Sequence, residues 1–220
     1  MFSRLRQYNI ITNCNFEYKP KYGNCPQNLP ASVNCKGTWY SGDMLQIDVT
    51  AVAPGYHKIR YCSFYNMPDS SLYGAALSSD FGDENIRIGA DTTHTYVSRT
   101  VVEYCVFNST YGSDSEAVSI KARQNIVRFS TFGNNQGAML SVRNGDYNVI
   151  YSNFFINAGG IRVKQANNTY VYNNYFQSSG DGQQTWPIAW FNMSGYNYYY
   201  QYRNAFIIKY NTFVESAYIR

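Results

Sequence analysis

One short phrase recurs seven times along this chain, and no other feature restricts its fold as strongly. In each copy an apolar pair leads to Cys, Ser or Asn placed two residues before a Phe: IITNCNF, KIRYCSF, VVEYCVF, IVRFSTF, NVIYSNFF, YVYNNYF and IIKYNTF. The copies end at Phe16, Phe64, Phe107, Phe132, Phe155, Phe176 and Phe213, and the middle gaps are 25, 23 and 21 residues. A repeat of that length is the size of one solenoid coil, and such a unit buries its apolar face only against copies of itself. The longer gaps leave room for insertions at turns.

A second strand-like segment precedes each phrase from the second onward: LQID (45–48), IRIG (86–89), VSIK (118–121), LSVR (140–143), IRVK (161–164) and IAWF (188–191), with AYIR (217–220) closing the chain. Val, Ile or Leu at alternating positions is the two-residue period of a strand with one buried face. Both sets repeat together, so each turn of the chain contributes at least two parallel strands. Composition agrees: 23 Tyr and 13 Phe stand against 15% charged residues, and strand formers outweigh helix formers. These observations predict an all-β, single-stranded, right-handed parallel β-helix of about seven coils. Residues 1–220 read as one β-helix domain, complete or a fragment of a longer chain.

Equivalent positions of successive coils lie about 4.8 Å apart in such a stack, so Phe is expected on Phe within the core. Cys14, Cys62 and Cys105 share one ladder position, continued by Ser130, Asn153, Asn174 and Asn211, and read as buried free thiols followed by a hydrogen-bonded Asn ladder at a bend. Cys25 and Cys35 lie together in a Pro- and Asn-rich segment where a disulfide is open to them.

The same alignment puts Lys121, Arg143 and Lys164 in one outward row, with Ser119, Ser141 and Arg162 in the neighbouring row. Like charges stacked at strand spacing repel, so the row needs counter-charge from the protein, a metal-bound anion or a substrate. Asp114 and Glu116 stand just upstream of Lys121, spaced to share a hard cation such as Ca²⁺ through oxygen ligands. The plainer reading is a solvated basic face that these two acids neutralise.

The stretch DSEAVSIKARQNIVRFSTFGNNQGAMLSVRNG, followed by GGIRVKQANNTYVYNNYF, resembles polysaccharide lyase family six, which includes alginate lyases and the chondroitinase B type of lyase. The matching positions are Asp114, Glu116, Ser119, Lys121, Gln136, Gly137, Arg143, Gly145, Gly159 to Arg162 and Tyr172 to Phe176. The resemblance implies β-elimination of a uronic-acid polysaccharide, alginate or chondroitin/dermatan sulfate, with Ca²⁺ holding the uronate carboxylate. It implies Lys121 as base, Arg143 stabilising charge and assisting the leaving group, and Asp114 and Glu116 as metal ligands. Arg162, Lys164 and Asn144 are then expected to contact substrate. The chain departs from the family pattern at Asp114, where Glu is usual, at Asn144, where His is usual, and at Phe81, where an Asn ligand is usual.

The formal net charge of +4 suits an anionic polysaccharide partner. No basic run or nucleic-acid motif argues for DNA or RNA, and no run approaches the roughly 18 apolar residues of a membrane span. The N-terminus lacks the layout of a signal peptide, while a polysaccharide substrate and Asn-x-Ser/Thr sequons at Asn108, Asn167 and Asn192 point to an extracellular or surface-exposed protein. A chain that stops within AYIR predicts a capping partner or an oligomer contact at the Arg220 end. A non-catalytic β-helix, serving glycan binding or an exterior fibre or spike, is the competing function.

Overall fold

The computed structural model describes residues 4–5, 8–17, 43–52, 55–67, 84–110, 116–135, 139–179, 187–191 and 206–216. Cys25, Cys35, Phe81, Asp114, Gln136, Gly137 and the AYIR segment lie outside the described residues. Three seven-stranded parallel sheets run the length of the molecule, and successive strands of the chain visit them in turn. This is the right-handed parallel β-helix expected from the repeats.

The recurring phrase turns out to be two strands, so each complete coil has three. KIRYCSF divides into Lys58–Arg60 and Ser63–Met67, and IVRFSTF into Ile126–Arg128 and Thr131–Gly133. Between them one residue adopts the left-handed conformation: Tyr61, Tyr104, Phe129, Ser152 and Asn173 all have φ between 52° and 56°. That single residue turns the chain from the second sheet to the third. Arg4–Leu5 adds a first strand to the first sheet that the sequence pattern did not mark.

Register carries the inward residues into columns. Val118 pairs with Ile86 and Leu140, Val127 with Val102 and Ile150, and Phe132 with Phe107 and Phe155. The Phe rings from Phe64 to Phe176 stack face to face at centroid separations of 4.6–5.0 Å, and all five are fully buried. Phe16 and Phe213 continue the stack at 4.7 and 5.0 Å. They are half-buried and exposed respectively, because in the described residues only one side of each end coil is covered.

The ladder beside this column closes the backbone accounts of the bend. Asn153 Oδ1 accepts from the Ser130 N–H at 3.0 Å, Asn174 Oδ1 from Asn153 N–H at 3.0 Å, and Asn211 Oδ1 from Asn174 N–H at 2.9 Å. Each Asn amide also donates to a carbonyl of the coil below, as Asn153 does to Val127 O at 3.0 Å. Cys62 and Cys105 occupy this ladder as buried free thiols, whereas Cys14 at the end coil is half-buried. Burial drives the Cys105 thiol up to about 12, which leaves it protonated and unreactive.

A ladder whose links are all made is costly to interrupt. Asn153→Ala is expected to orphan the Ser130 N–H and lower unfolding free energy by about 1–3 kcal/mol. Urea titration of the variant against the parent checks this, and an unchanged midpoint counts against the ladder as a stabilising element.

Candidate functional site

The first sheet builds the site on its outer face. Its strands Ile86–Ile88, Glu116–Ile120, Met139–Arg143 and Ile161–Lys164 are adjacent. Register places Arg87, Ser119, Ser141 and Arg162 in one row. Arg143 pairs with Lys164 in the next row, and Lys121 heads that row, one residue past the paired Ile120 and Val142. Both rows anticipated from the sequence, the basic row of Lys121, Arg143 and Lys164 and the neighbouring row of Ser119, Ser141 and Arg162, are therefore real rows.

Their counter-charge comes from a column of acids at the entrance to the same strands. Asp43, Glu84 and Glu116 each stand two residues before the first inward apolar residue of a strand, and all three are buried. Asp43 takes Arg87 Nε at 2.8 Å. Glu116 Oε1 receives both Arg143 Nη1, at 3.5 Å, and Arg162 Nη2. Arg162 is braced in addition by its Nε donating to Ser141 Oγ at 3.1 Å. Lys121 Nζ lies 3.9 Å from Glu84 Oε1 and 3.9 Å from Asp91 Oδ1. Alternating acids with cations in this way resolves the repulsion that a bare basic row would carry.

Lys121 differs from the sequence expectation in its exposure. It points outward from the sheet, yet only 8% of it is exposed, because a 3-10 turn at Asp91–Thr93 rises beside it. That turn needs Gly89, whose φ of +81° is in the left-handed region and whose site leaves 2.8 Å between an added Cβ and Thr93 Oγ1. Asn144, itself left-handed with φ 63°, donates from Nδ2 to Asp91 Oδ1 at 3.5 Å. The next residue, Gly145, packs so tightly on the coil below that a Cβ would sit 2.1 Å from Ala122 O. This close approach gives the Gly of the Arg-Asn-Gly run a steric reason: it seats Arg143 and Asn144 against the coil bearing Lys121.

Glu84 and Asp43 were not among the sequence-derived site residues, although their signal was present. DML, ENI and EAV place an acid at the same distance from the strand in three successive coils. Burial pushes the Glu84 carboxyl up to about 9, helped by the neighbouring Asp43 and Glu116 carboxyl groups, with Lys121 opposing. Both Glu84 oxygens, Glu116 Oε2 and Ser119 Oγ are buried without a hydrogen-bond partner. The three carboxyl oxygens among them, of which Glu84 Oε1 also faces Lys121 Nζ at 3.9 Å, are in their ionised form the donor chemistry a hard divalent cation takes. Among the described residues, no group of three or more His, Cys, Asp or Glu converges as a metal-binding cluster. No helix among them is long and apolar enough to cross a membrane.

The outer face of the first sheet thus brings Lys121, Arg143 and Arg162 together with the buried carboxyl groups of Glu84 and Glu116. The chain matches the chondroitinase B family over residues 4–219 and belongs to that family. Comparison with curated proteins found no match. Among solved structures it is similar to a mannuronic-acid-specific family 6 polysaccharide lyase from human gut microbiota, with TM-score 0.60 and 23% identity. That alignment covers 97% of this chain and 45% of the relative. A mutant of the family 6 alginate lyase AlyGC gives TM-score 0.57 and 24% identity, over 68% of this chain and 20% of the relative. A family 6 alginate lyase in complex with a trisaccharide gives 0.54 and 19%, over 86% and 36%. The chain thus spans less than half the length of these relatives.

The state of Glu84 can be read from stability. Its raised value means that the folded state holds a proton the unfolded chain releases above the ordinary carboxylate value of 4.5. Stability is therefore fully present below that value and is lost as pH rises toward about 9. Glu84→Gln should flatten this decline, so that thermal unfolding in chelator-treated buffer shows the variant gaining on the parent as pH rises from 5 to 9. Parallel curves for the two proteins would refute a protonated Glu84.

Proposed function

We propose that this chain carries the catalytic groove of a polysaccharide lyase that cleaves a uronic-acid polymer by β-elimination. One observation supports this reading above the rest. Lys121 and Arg143 stand at the ends of paired strands on adjacent coils, each beside a buried carboxyl group, and family membership supports a catalytic reading of the pair.

In the reaction the Lys121 amine takes the proton from C5 of a uronate. The C5–H electron pair forms the C4–C5 double bond, the C4–O bonding pair passes to the departing sugar's oxygen, and that oxygen takes a proton from water and leaves as a hydroxyl. Arg143 is placed to stabilise charge that builds on the uronate during proton removal and to assist the leaving oxygen. Asp91, which is exposed to solvent and close to Lys121 Nζ, offers the abstracted proton a path to water. Arg162, Lys164 and Asn144 line the adjoining positions where the polymer would lie. Arg162 reaches it only by loosening its bonds to Glu116 and Ser141.

We further propose Ca²⁺ as cofactor, held by Glu116 and Asp114, with Glu84 beside them. When bound, it would neutralise the uronate carboxylate and so acidify the C5 proton. The unpartnered oxygens of Glu84 and Glu116 support this assignment. Because Glu116 is already bonded to two guanidinium groups, the cation has to compete with Arg143 and Arg162 for it. Alginate and chondroitin/dermatan sulfate are the candidate substrates, and their location puts the protein's work outside the cell.

The test is ultraviolet absorbance of the unsaturated uronate product across a panel of uronans, with Ca²⁺ and with chelator. Lys121→Ala should lower turnover by about 10²-fold or more while the far-ultraviolet circular dichroism of the β-helix is retained. Asp114→Ala should raise the Ca²⁺ concentration needed for half-maximal rate. Absence of product from every uronan at any Ca²⁺ level would instead favour the non-catalytic scaffold.

A further inference from the structure

A second surface lies on another side of the coil, at the bend between the second and third sheets. The bend residue is left-handed in every coil, a conformation that favours Gly, Asn and Asp and is uncommon for bulky side chains. Asn13 and Asn173 meet that preference and Ser152 is at least small, yet three consecutive coils carry Tyr61, Tyr104 and Phe129 there, and the last coil carries Tyr210. Their rings stack at 5.0 and 5.1 Å, and they remain 48%, 43% and 38% exposed. Stacking contributes about 0.5–1.5 kcal/mol per pair, of the same order as the cost of the left-handed backbone. Fold stability therefore gains little from choosing aromatics over Asn at this column, which leaves the exposed ring edges to be explained.

The surroundings of the column indicate what it meets. Arg60 lies over the Tyr61 ring at 5.1 Å and Arg128 over Phe129 at 5.3 Å. Register places Arg60, Glu103, Arg128, Tyr151, Tyr172 and Lys209 in one row; Arg60 and Arg128 share the single acid Glu103, and Lys209 adds a cation at the far end. On the other flank Val106 and Phe154 are exposed. Aromatic rings present a positive edge, and the hydroxyls of Tyr61 and Tyr104 add donors at two rungs. The result is a positively biased, periodic ridge whose repeat is close to the length of one sugar unit in an extended chain.

We propose that this ridge, centred on Tyr61, Tyr104, Phe129, Arg60 and Arg128, is an ancillary binding surface for the anionic polysaccharide. It holds the long polymer on the protein away from the Lys121 groove. The identity of the ligand rests on the lyase reading above; the periodicity and charge of the ridge do not.

The experiment uses the Lys121→Ala protein, so that the polymer stays intact, and measures retardation in native gels containing long-chain sodium alginate or chondroitin sulfate. The ridge variant is Tyr104→Asn with Phe129→Asn, because Asn is the residue that neighbouring coils already use in this conformation. Arg128→Gln is tested separately. Each variant should weaken polymer binding by at least ~5-fold, the equivalent of about one lost aromatic or cation–π contact. The Asn variant should keep the parent's unfolding midpoint or exceed it. With Lys121 intact, the same ridge variants should leave the rate on a uronate trisaccharide unchanged, since a short fragment cannot span groove and ridge. Unchanged polymer affinity in the ridge variants overturns the proposal. So does retention abolished by Arg143→Ala alone, or a parent dimer that the ridge variants dissociate, which would make the ridge a contact between copies of this chain. A protein that retains no uronan at all also overturns it. If no unsaturated product is ever formed but ridge variants still weaken polymer retention, the lyase reading fails and the surface stands.

Discussion

Parallel backbone pairing between successive coils is the constraint on which everything else in this protein rests. Once Val118 is set against Ile86 and Leu140, every residue of a coil is committed to a column, inward or outward. Inside, that commitment is favourable: like sits on like, and the Phe column and the Asn ladder follow from it. Stacked apolar rings exclude water on both faces, and each Asn side chain satisfies one N–H of the coil before it and a carbonyl as well.

Outside, the same commitment is hazardous, because charged residues in register repel. The first sheet resolves this by offsetting acids from cations. Asp43, Glu84 and Glu116 enter ahead of the strand, and Arg87, Lys121, Arg143 and Arg162 follow on it. Burial of this set leaves Glu84 protonated at neutral pH and leaves carboxylate oxygens unpartnered. Lys121 is enclosed where the plainer reading expected a solvated face, while Glu116 neutralises Arg143 and Arg162 as that reading expected.

Much of this was legible in the chain because a solenoid translates sequence period directly into spatial neighbours. The Phe phrase located seven coils, the alternation in VSIK, LSVR and IRVK identified the basic rows, and one ladder position linked Cys105 to Ser130 and Asn153. The third strand of each coil was less visible, since a single left-handed residue such as Tyr104 or Phe129 leaves no mark in hydrophobic periodicity. Glu84 was missed for a different reason. Its acid lies before the strand, where sequence alone does not say whether a carboxylate faces water or is enclosed.

By itself, then, the sequence determined the stacking unit, its spacing, the identity of the core columns and the membership of the outward rows, since all of these depend on distances along a repeating chain. Only the tertiary structure decided which charges meet. Glu116 joins Arg143 and Arg162 across two coil boundaries, Lys121 sits between Glu84 and Asp91, and Gly145 comes down onto Ala122. Those contacts depend on side-chain reach and on the close approach of separate coils, and Coulomb energy and burial act on through-space distance, which no spacing along the chain records.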